Sequence, residues 1–133
     1  MTTIKPTVLV IEDDEVISYI LEFMLIKEGF DVEIIDDGQV ALNRITSQAE
    51  NLPGVILLDV MLPHVDGKQL ASAIRNSEPW RNIPVLMLTS KAQESNIADG
   101  LAAGASDYII KPFTPTDVIE RIRKFLPANT RVF

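Results

Sequence analysis

Three short runs constrain this chain more than anything else in it: T-V-L-V-I (7–11), V-I-L-L (55–58) and P-V-L-M-L (84–88). They are almost continuously apolar and rich in β-branched residues, so they read as strands that need cover on both faces. Two further runs, V-E-I-I (32–35) and D-Y-I-I (107–110), complete a set of five. Between the strands lie segments with helical spacing. In the first, Val16, Ile17, Ile20, Leu21, Met24 and Leu25 recur at three- and four-residue intervals, and Gly29 ends the helix. Similar patterns run through Val40–Ile45, through Leu70, Ala71 and Ile74, through Ile97, Leu101 and Ala102, and through Val118, Ile119, Ile122 and Phe125. Five strands alternating with five helices predict an α/β domain: a doubly wound, five-stranded parallel sheet between two helical layers. No linker or low-complexity segment interrupts the pattern, so residues 1–133 read as one domain with a core over about 6–127.

At 133 residues such a domain buries enough surface to need no disulfide, and the chain has no cysteine to form one. That also excludes thiolate metal sites and fits a reducing compartment. The apolar run before Glu12 is too short for a signal-peptide core, and no stretch reaches membrane-spanning length. The expectation is a soluble, cytoplasmic domain with no membrane contact. A net charge of −7 argues against direct nucleic-acid binding by this domain.

The polar residues that follow the strands carry the chemistry. Glu12, Asp13 and Asp14 follow the first strand; Asp59 follows the third; Thr89 and Ser90 follow the fourth; Lys111 follows the fifth. In an open parallel sheet the carboxyl ends of the strands share one edge, and ligands bind there where the strand order reverses. With the order 2-1-3-4-5 the crevice lies between strands one and three, and Glu12, Asp13 and Asp59 crowd into it. Two unit charges about 4 Å apart repel by roughly 4 kcal/mol at an effective dielectric near 20. A compensating cation is required, and oxygen-only ligands point to a hard one, best matched by Mg²⁺. A carboxylate beside such an ion can accept a phosphoryl group as an aspartyl phosphate, with Lys111 and the Thr89 hydroxyl holding the transferred oxygens.

The blocks V-L-V-I-E-D-D-E, L-L-D-V-M-L-P-H-V-D-G, I-P-V-L-M-L-T-S and G-A-S-D-Y-I-I-K-P-F, in this order and at these spacings, resemble the receiver domain of two-component response regulators over nearly the whole chain. The resemblance implies a CheY-like, flavodoxin-like (βα)5 three-layer sandwich. It implies that Asp59 is the phosphoacceptor, that Asp13 is a direct Mg²⁺ ligand, that Glu12 acts on the ion through water, and that the backbone carbonyl of Met61 completes the protein ligands. Thr89 would be the switch hydroxyl, Tyr108 the switch aromatic and Lys111 the phosphoryl-binding ammonium, with a cis peptide between Lys111 and Pro112. The implied donor is a sensor histidine kinase or a histidine phosphotransfer protein. The implied role is signalling, with no catalysis beyond the domain's own phosphorylation and dephosphorylation. Phosphorylation would remodel the surface of the fourth helix, fifth strand and fifth helix to control a partner or effector domain. There Asp107 and Arg121 match a salt-bridge pair through which receivers of winged-helix transcription factors dimerise, so a phosphorylation-enhanced homodimer is expected. Ile97 departs from that subgroup's charge pattern, standing where a basic residue is usual. Met61 and Lys91 border the site at positions that in this family set the lifetime of the phosphoryl group. The chain is expected either to act alone through its surface or to be the receiver of a longer regulator.

Other residues read as structural. Asp14 is placed to cap the first helix, and Asp36 and Asp37 to form a turn and cap before Gly38 beside an edge strand. His64, alone in a Pro-containing loop, reads as solvated, and Trp80 beside Pro79 as packing under a loop. Two rival functions share parts of the pattern. A flavodoxin-like cofactor binder needs a Gly-, Ser- and Thr-rich first loop, whereas E-D-D repels phosphate. An aspartyl-phosphate-forming phosphohydrolase usually carries its nucleophile on the first strand with a second Asp two residues later. Here the candidate is on the third strand and Met61 follows it.

Overall fold

The computed structural model describes residues 6–47, 50–90 and 101–126. Its five strands are β1 (Thr7–Ile11), β2 (Asp31–Ile35), β3 (Val55–Asp59), β4 (Val85–Ser90) and β5 (Asp107–Lys111). All neighbouring pairs are parallel, in the order β2-β1-β3-β4-β5. The helices are α1 (Glu15–Lys27), α2 (Gly38–Ser47), α3 (Gly67–Asn76) and α4 (Pro115–Lys124), with a 3-10 turn at Glu78–Trp80. Of the fourth helical pattern, residues 101–103 are described and are helical; Ile97 and Lys91 lie outside the described residues.

The sheet separates two cores, and strand alternation decides which residue enters which. Leu9, Ile11, Ile56, Leu58, Val85 and Met87 face α2 and α3 and meet Ala41, Ile45, Leu70, Ala71, Ile74 and Trp80. Val8, Val10, Val55, Leu57, Leu86, Leu88 and Ile109 face α1 and α4 and meet Leu21, Met24, Leu25, Val118, Ile119 and Ile122. This is why residues 8–11, 55–58 and 85–88 include no polar side chain: both faces are covered. β2, at the sheet edge, is mostly half-buried and tolerates Asp31 and Glu33.

The helix starts follow the expected caps. Asp14 accepts from the backbone N–H of Val16 at 2.9 Å and Ile17 at 3.2 Å. Asp37 accepts from Gln39 at 2.7 Å and Val40 at 3.1 Å at the start of α2, while Asp36 is exposed. Gly29, at φ 92°, adopts the left-handed conformation that stops α1. Within α1 the members Ile17, Leu21, Met24 and Leu25 of the apolar pattern turn inward together with Ser18, whereas Val16 and Ile20 face solvent. Val40 and Leu101 are likewise exposed. His64, at φ 70°, is exposed in the β3–α3 loop.

Candidate functional site

The parallel register sets the site. β3 is flanked by β1 as far as Leu58 and by β4 as far as Asp59, so the strand is held from both sides up to the residue before Asp59 and Asp59 itself from the β4 side. The backbone continues to be pinned past it: Val60 donates to Leu88 at 3.1 Å, and Gly67 donates to Val60 at 3.0 Å. Met61 N–H donates to Asp59 Oδ1 at 3.0 Å, orienting the carboxylate, while the Met61 side chain is exposed. Gly67 is a site residue that the sequence did not disclose. A Cβ there would lie 2.5 Å from the Asp59 carbonyl oxygen and 2.9 Å from Val60 Cα, so only glycine lets α3 start against this backbone. The D-G pair at 66–67 reads as an ordinary turn, and no signal in one sequence separates the two uses.

Glu12, the first residue past β1, is fully buried. Its backbone N–H donates to Ile35 at 3.1 Å and its carbonyl accepts from Ser18 Oγ at 3.2 Å. Carboxylate oxygens of Glu12, Asp13 and Asp59 lie within 4.8 Å of one another. Lys111, from the end of β5, reaches across: its ammonium donates to Glu12 Oε1 at 2.8 Å and to Asp59 Oδ2 at 3.3 Å. The Lys111–Pro112 peptide is cis. Asp59 is 5% exposed, and Asp13 is exposed at the rim.

Among the described residues one ammonium faces three carboxylates. Burial, reinforced by the Asp59 carboxylate and only partly opposed by Lys111, pushes the Glu12 carboxyl up to about 8. Burial pulls Lys111 downward, but Glu12 and Asp59 outweigh it and leave the ammonium raised above its ordinary value. An all-oxygen donor set of three carboxylates fits a hard divalent cation of the Mg²⁺ type, with Asp13 exposed at the rim and Asp59 and Glu12 buried behind it.

Thr89, one residue beyond the Leu88 that pairs with Asp59, is buried, and its hydroxyl donates to the Ser90 carbonyl at 3.4 Å. Tyr108 is half-buried against the core on the α3 side of the sheet. Asp107 and Arg121 do meet, but within one chain: Arg121 Nη1 lies 3.3 Å from Asp107 Oδ2 and donates to the Tyr108 carbonyl at 2.7 Å. Asp36 and His64 take no part. Trp80 is buried under the Arg44 guanidinium, 4.9 Å from the ring centroid, as a packing residue.

Residues 8–123 match the family model described as response regulator receiver domain. The phosphate regulon transcriptional regulatory protein PhoB of Rhizobium meliloti (strain 1021) is 38% identical over 121 residues, covering 91% of this chain and 52% of that protein. The DNA-binding response regulator MtrA of Mycolicibacterium smegmatis is 36% identical over 129 residues, covering 97% of this chain and 54% of that protein. The chain therefore spans about half the length of these curated relatives. Among solved structures, the receiver domain of sensor histidine kinase PA1611 from Pseudomonas aeruginosa PAO1, with a magnesium ion coordinated in its active site cleft, superposes with a TM-score of 0.82 at 29% identity, covering 92% of this chain and 98% of that one. The chemotaxis protein CheY4 of Vibrio cholerae gives 0.82 at 28% identity, covering 92% and 100%. No described helix is long and apolar enough to cross a membrane.

Proposed function

The chain belongs to the response regulator receiver domain family, and from that premise we propose that it accepts a phosphoryl group on Asp59 from a phosphohistidine donor and passes the signal through its β5–α4 face. The observation that carries this reading is the Lys111 ammonium bridging Glu12 and Asp59 inside a cluster of three carboxylates at the carboxyl edge of the sheet. Asp59 attacks phosphorus in line with the donor's P–N bond, which breaks as the new P–O bond forms, and the leaving imidazole keeps the electron pair. Met61 N–H holds Asp59 oriented for attack, and Lys111 follows the charge onto the transferred oxygens. A Mg²⁺ ion held by Asp13, Asp59 and the Met61 carbonyl, with Glu12 acting through water, would supply the remaining positive charge. The magnesium named for the PA1611 receiver supports that choice of ion.

Incubation with a small phosphodonor, followed by intact mass, tests the assignment. An adduct is expected with Mg²⁺ and none in chelator. An adduct that survives Asp59→Asn would overturn it.

The output reading rests on Thr89 and Tyr108. A phosphoryl oxygen on Asp59 offers the Thr89 hydroxyl a strong charge-assisted bond. Thr89 moves inward and Tyr108 turns from half-buried to buried, shifting a two-state surface. The donor would be a sensor histidine kinase or a histidine phosphotransfer protein, and the state so formed would control an effector or a homodimer through Asp107 and Arg121. Beryllofluoride, a phosphoryl mimic, should change the Tyr108 fluorescence and side-chain resonances. An unchanged Tyr108 removes the switch.

A further inference from the structure

The outer face of α1 is apolar. Val16 is 68% exposed, Tyr19 69%, Ile20 46%, Phe23 63% and Ile26 56%. Single exposed apolar residues are ordinary on a folded domain, but a contiguous stripe along one helix marks a contact surface. The core-facing residues Ser18, Leu21, Met24 and Leu25 lie on the opposite side of the helix, so the stripe points away from the domain.

Its spacing says what fits it. Val16, Tyr19, Phe23 and Ile26 follow one another at three, four and three residues, the a and d positions of a two-heptad seam. In the same frame Glu15 and Glu22 take the g positions, and Ile20 and Lys27 the e positions. Neither Glu22 nor Lys27 has an ion-pair partner among the described residues.

We propose that α1 packs in parallel against α1 of a second copy of this chain, burying the seam and pairing Glu22 of each copy with Lys27 of the other. The flanking charges set the orientation. In a parallel pair each g residue meets the following e residue of the other helix, which places Glu22 against Lys27 twice by symmetry. In an antiparallel pair g meets g, and the glutamates repel. The contact uses a helix remote in sequence from Asp107 and Arg121, so the two surfaces are separable by mutation. A seam of two heptads is short, and the association it supports is weak.

Sedimentation equilibrium up to high protein concentration tests this, with circular dichroism and the Asp59 adduct confirming that each variant is folded. Phe23→Glu places a charge in the middle of the seam and should weaken dimerisation by about 30-fold, the effect of losing one central anchor. Glu22→Lys and Lys27→Glu should each weaken it, and the double exchange should restore it. Because the chain has no cysteine, Val16→Cys gives a second reading. Mild oxidation should cross-link a parallel pair, whereas an antiparallel pair holds the two positions roughly 15 Å apart along the helices at 1.5 Å per residue. A monomer at every concentration overturns the proposal. So does a dimer that survives Phe23→Glu but is lost in Arg121→Glu, or one that Glu22→Lys and Lys27→Glu each strengthen.

Discussion

Two of the cation–carboxylate clusters on this sheet differ in arithmetic. At the edge strand, Arg44 from α2 donates to both carboxylate oxygens of Glu33 at 2.6 and 2.8 Å, gives a further hydrogen bond to the Asn51 carbonyl at 2.9 Å, and lies over Trp80. Among the described residues one guanidinium meets one carboxylate, and it is held above its ordinary value chiefly by its hydrogen bonding to Glu33. At the carboxyl edge one ammonium meets Glu12 and Asp59, with Asp13 alongside, and burial reinforced by the Asp59 carboxylate pushes the Glu12 carboxyl up to about 8. The first cluster is complete and holds α2 to the sheet. The second, among the described residues, carries more negative charge than positive. Hydrogen-bond distance does not separate the two clusters, whereas burial of the carboxylates and charge balance among the described residues do.

The sharpest way to break that contrast is to remove each cation. Lys111→Ala should slow phosphorylation of Asp59 by about 100-fold, the usual loss when one preorganised charge-stabilising group is deleted. Arg44→Ala should leave the phosphorylation rate within about twofold, because nothing it touches faces the site. Its cost should appear in stability instead, at about 1–2 kcal/mol by denaturant unfolding, from the lost ion pair and ring contact. If both variants lose phosphorylation equally, the distinction between the clusters fails.

Removing a carboxylate should have opposite signs in the two places. Glu33→Gln breaks a matched pair and should destabilise by about 1 kcal/mol. Asp13→Asn relieves repulsion in the surplus cluster and should stabilise the metal-free protein by about 1 kcal/mol, while weakening Mg²⁺ binding. Mg²⁺ should erase the stabilisation, since the wild type then gains ligand-binding energy that the variant lacks. Thermal unfolding of both variants with and without Mg²⁺ reads all four values.

Proton linkage tests the same cluster. With Glu12 raised from 4.5 to about 8, the folded state keeps a proton that the unfolded state has lost between those values. The unfolded state binds fewer protons, so metal-free stability falls as pH rises across that window. Glu12→Gln should flatten this slope. Binding of Mg²⁺ near neutral pH should release a proton, seen as a buffer-dependent enthalpy, and apparent affinity should keep rising towards pH 8 instead of levelling once ordinary carboxylates are ionised.

These two clusters were not equally legible in the sequence. Asp59 announces itself because it ends a run with no other polar residue, and Glu12, Thr89 and Lys111 stand at matching places after their strands. One feature, the apolar run on a doubly covered strand, therefore fixed both the sheet and the site. The Arg44–Glu33–Trp80 assembly left no such mark, because its members come from three separate elements and each is unremarkable alone. α1 shows a different limit. Val16, Tyr19, Ile20, Phe23 and Ile26 obey the same helical period as Leu21, Met24 and Leu25. Periodicity gives a helix from either set but does not say which one faces the sheet. Gly67 was silent because its role lies in an atom it lacks.

The smallest effect is expected at Arg121. The sequence suggested that this side chain and Asp107 would pair between copies, yet within the chain Arg121 already lies 3.3 Å from Asp107 and 3.6 Å from Asp117, and donates to the Tyr108 carbonyl. Its bonds are thus already made within the chain, although among the described residues it meets two carboxylates where Arg44 meets one. A dimer through the β5–α4 face has to exchange these bonds for equivalent ones across the interface, and a half-exposed ion pair is worth only ~0–1 kcal/mol. Arg121→Ala should accordingly change the dissociation constant of a beryllofluoride-induced dimer by less than about fivefold. The salt dependence should be shallow, because similar charges are paired before and after. A much larger loss would mean that Arg121 leaves its own chain's carboxylates on activation, and would place it with Lys111 among the charges that do work in the signal.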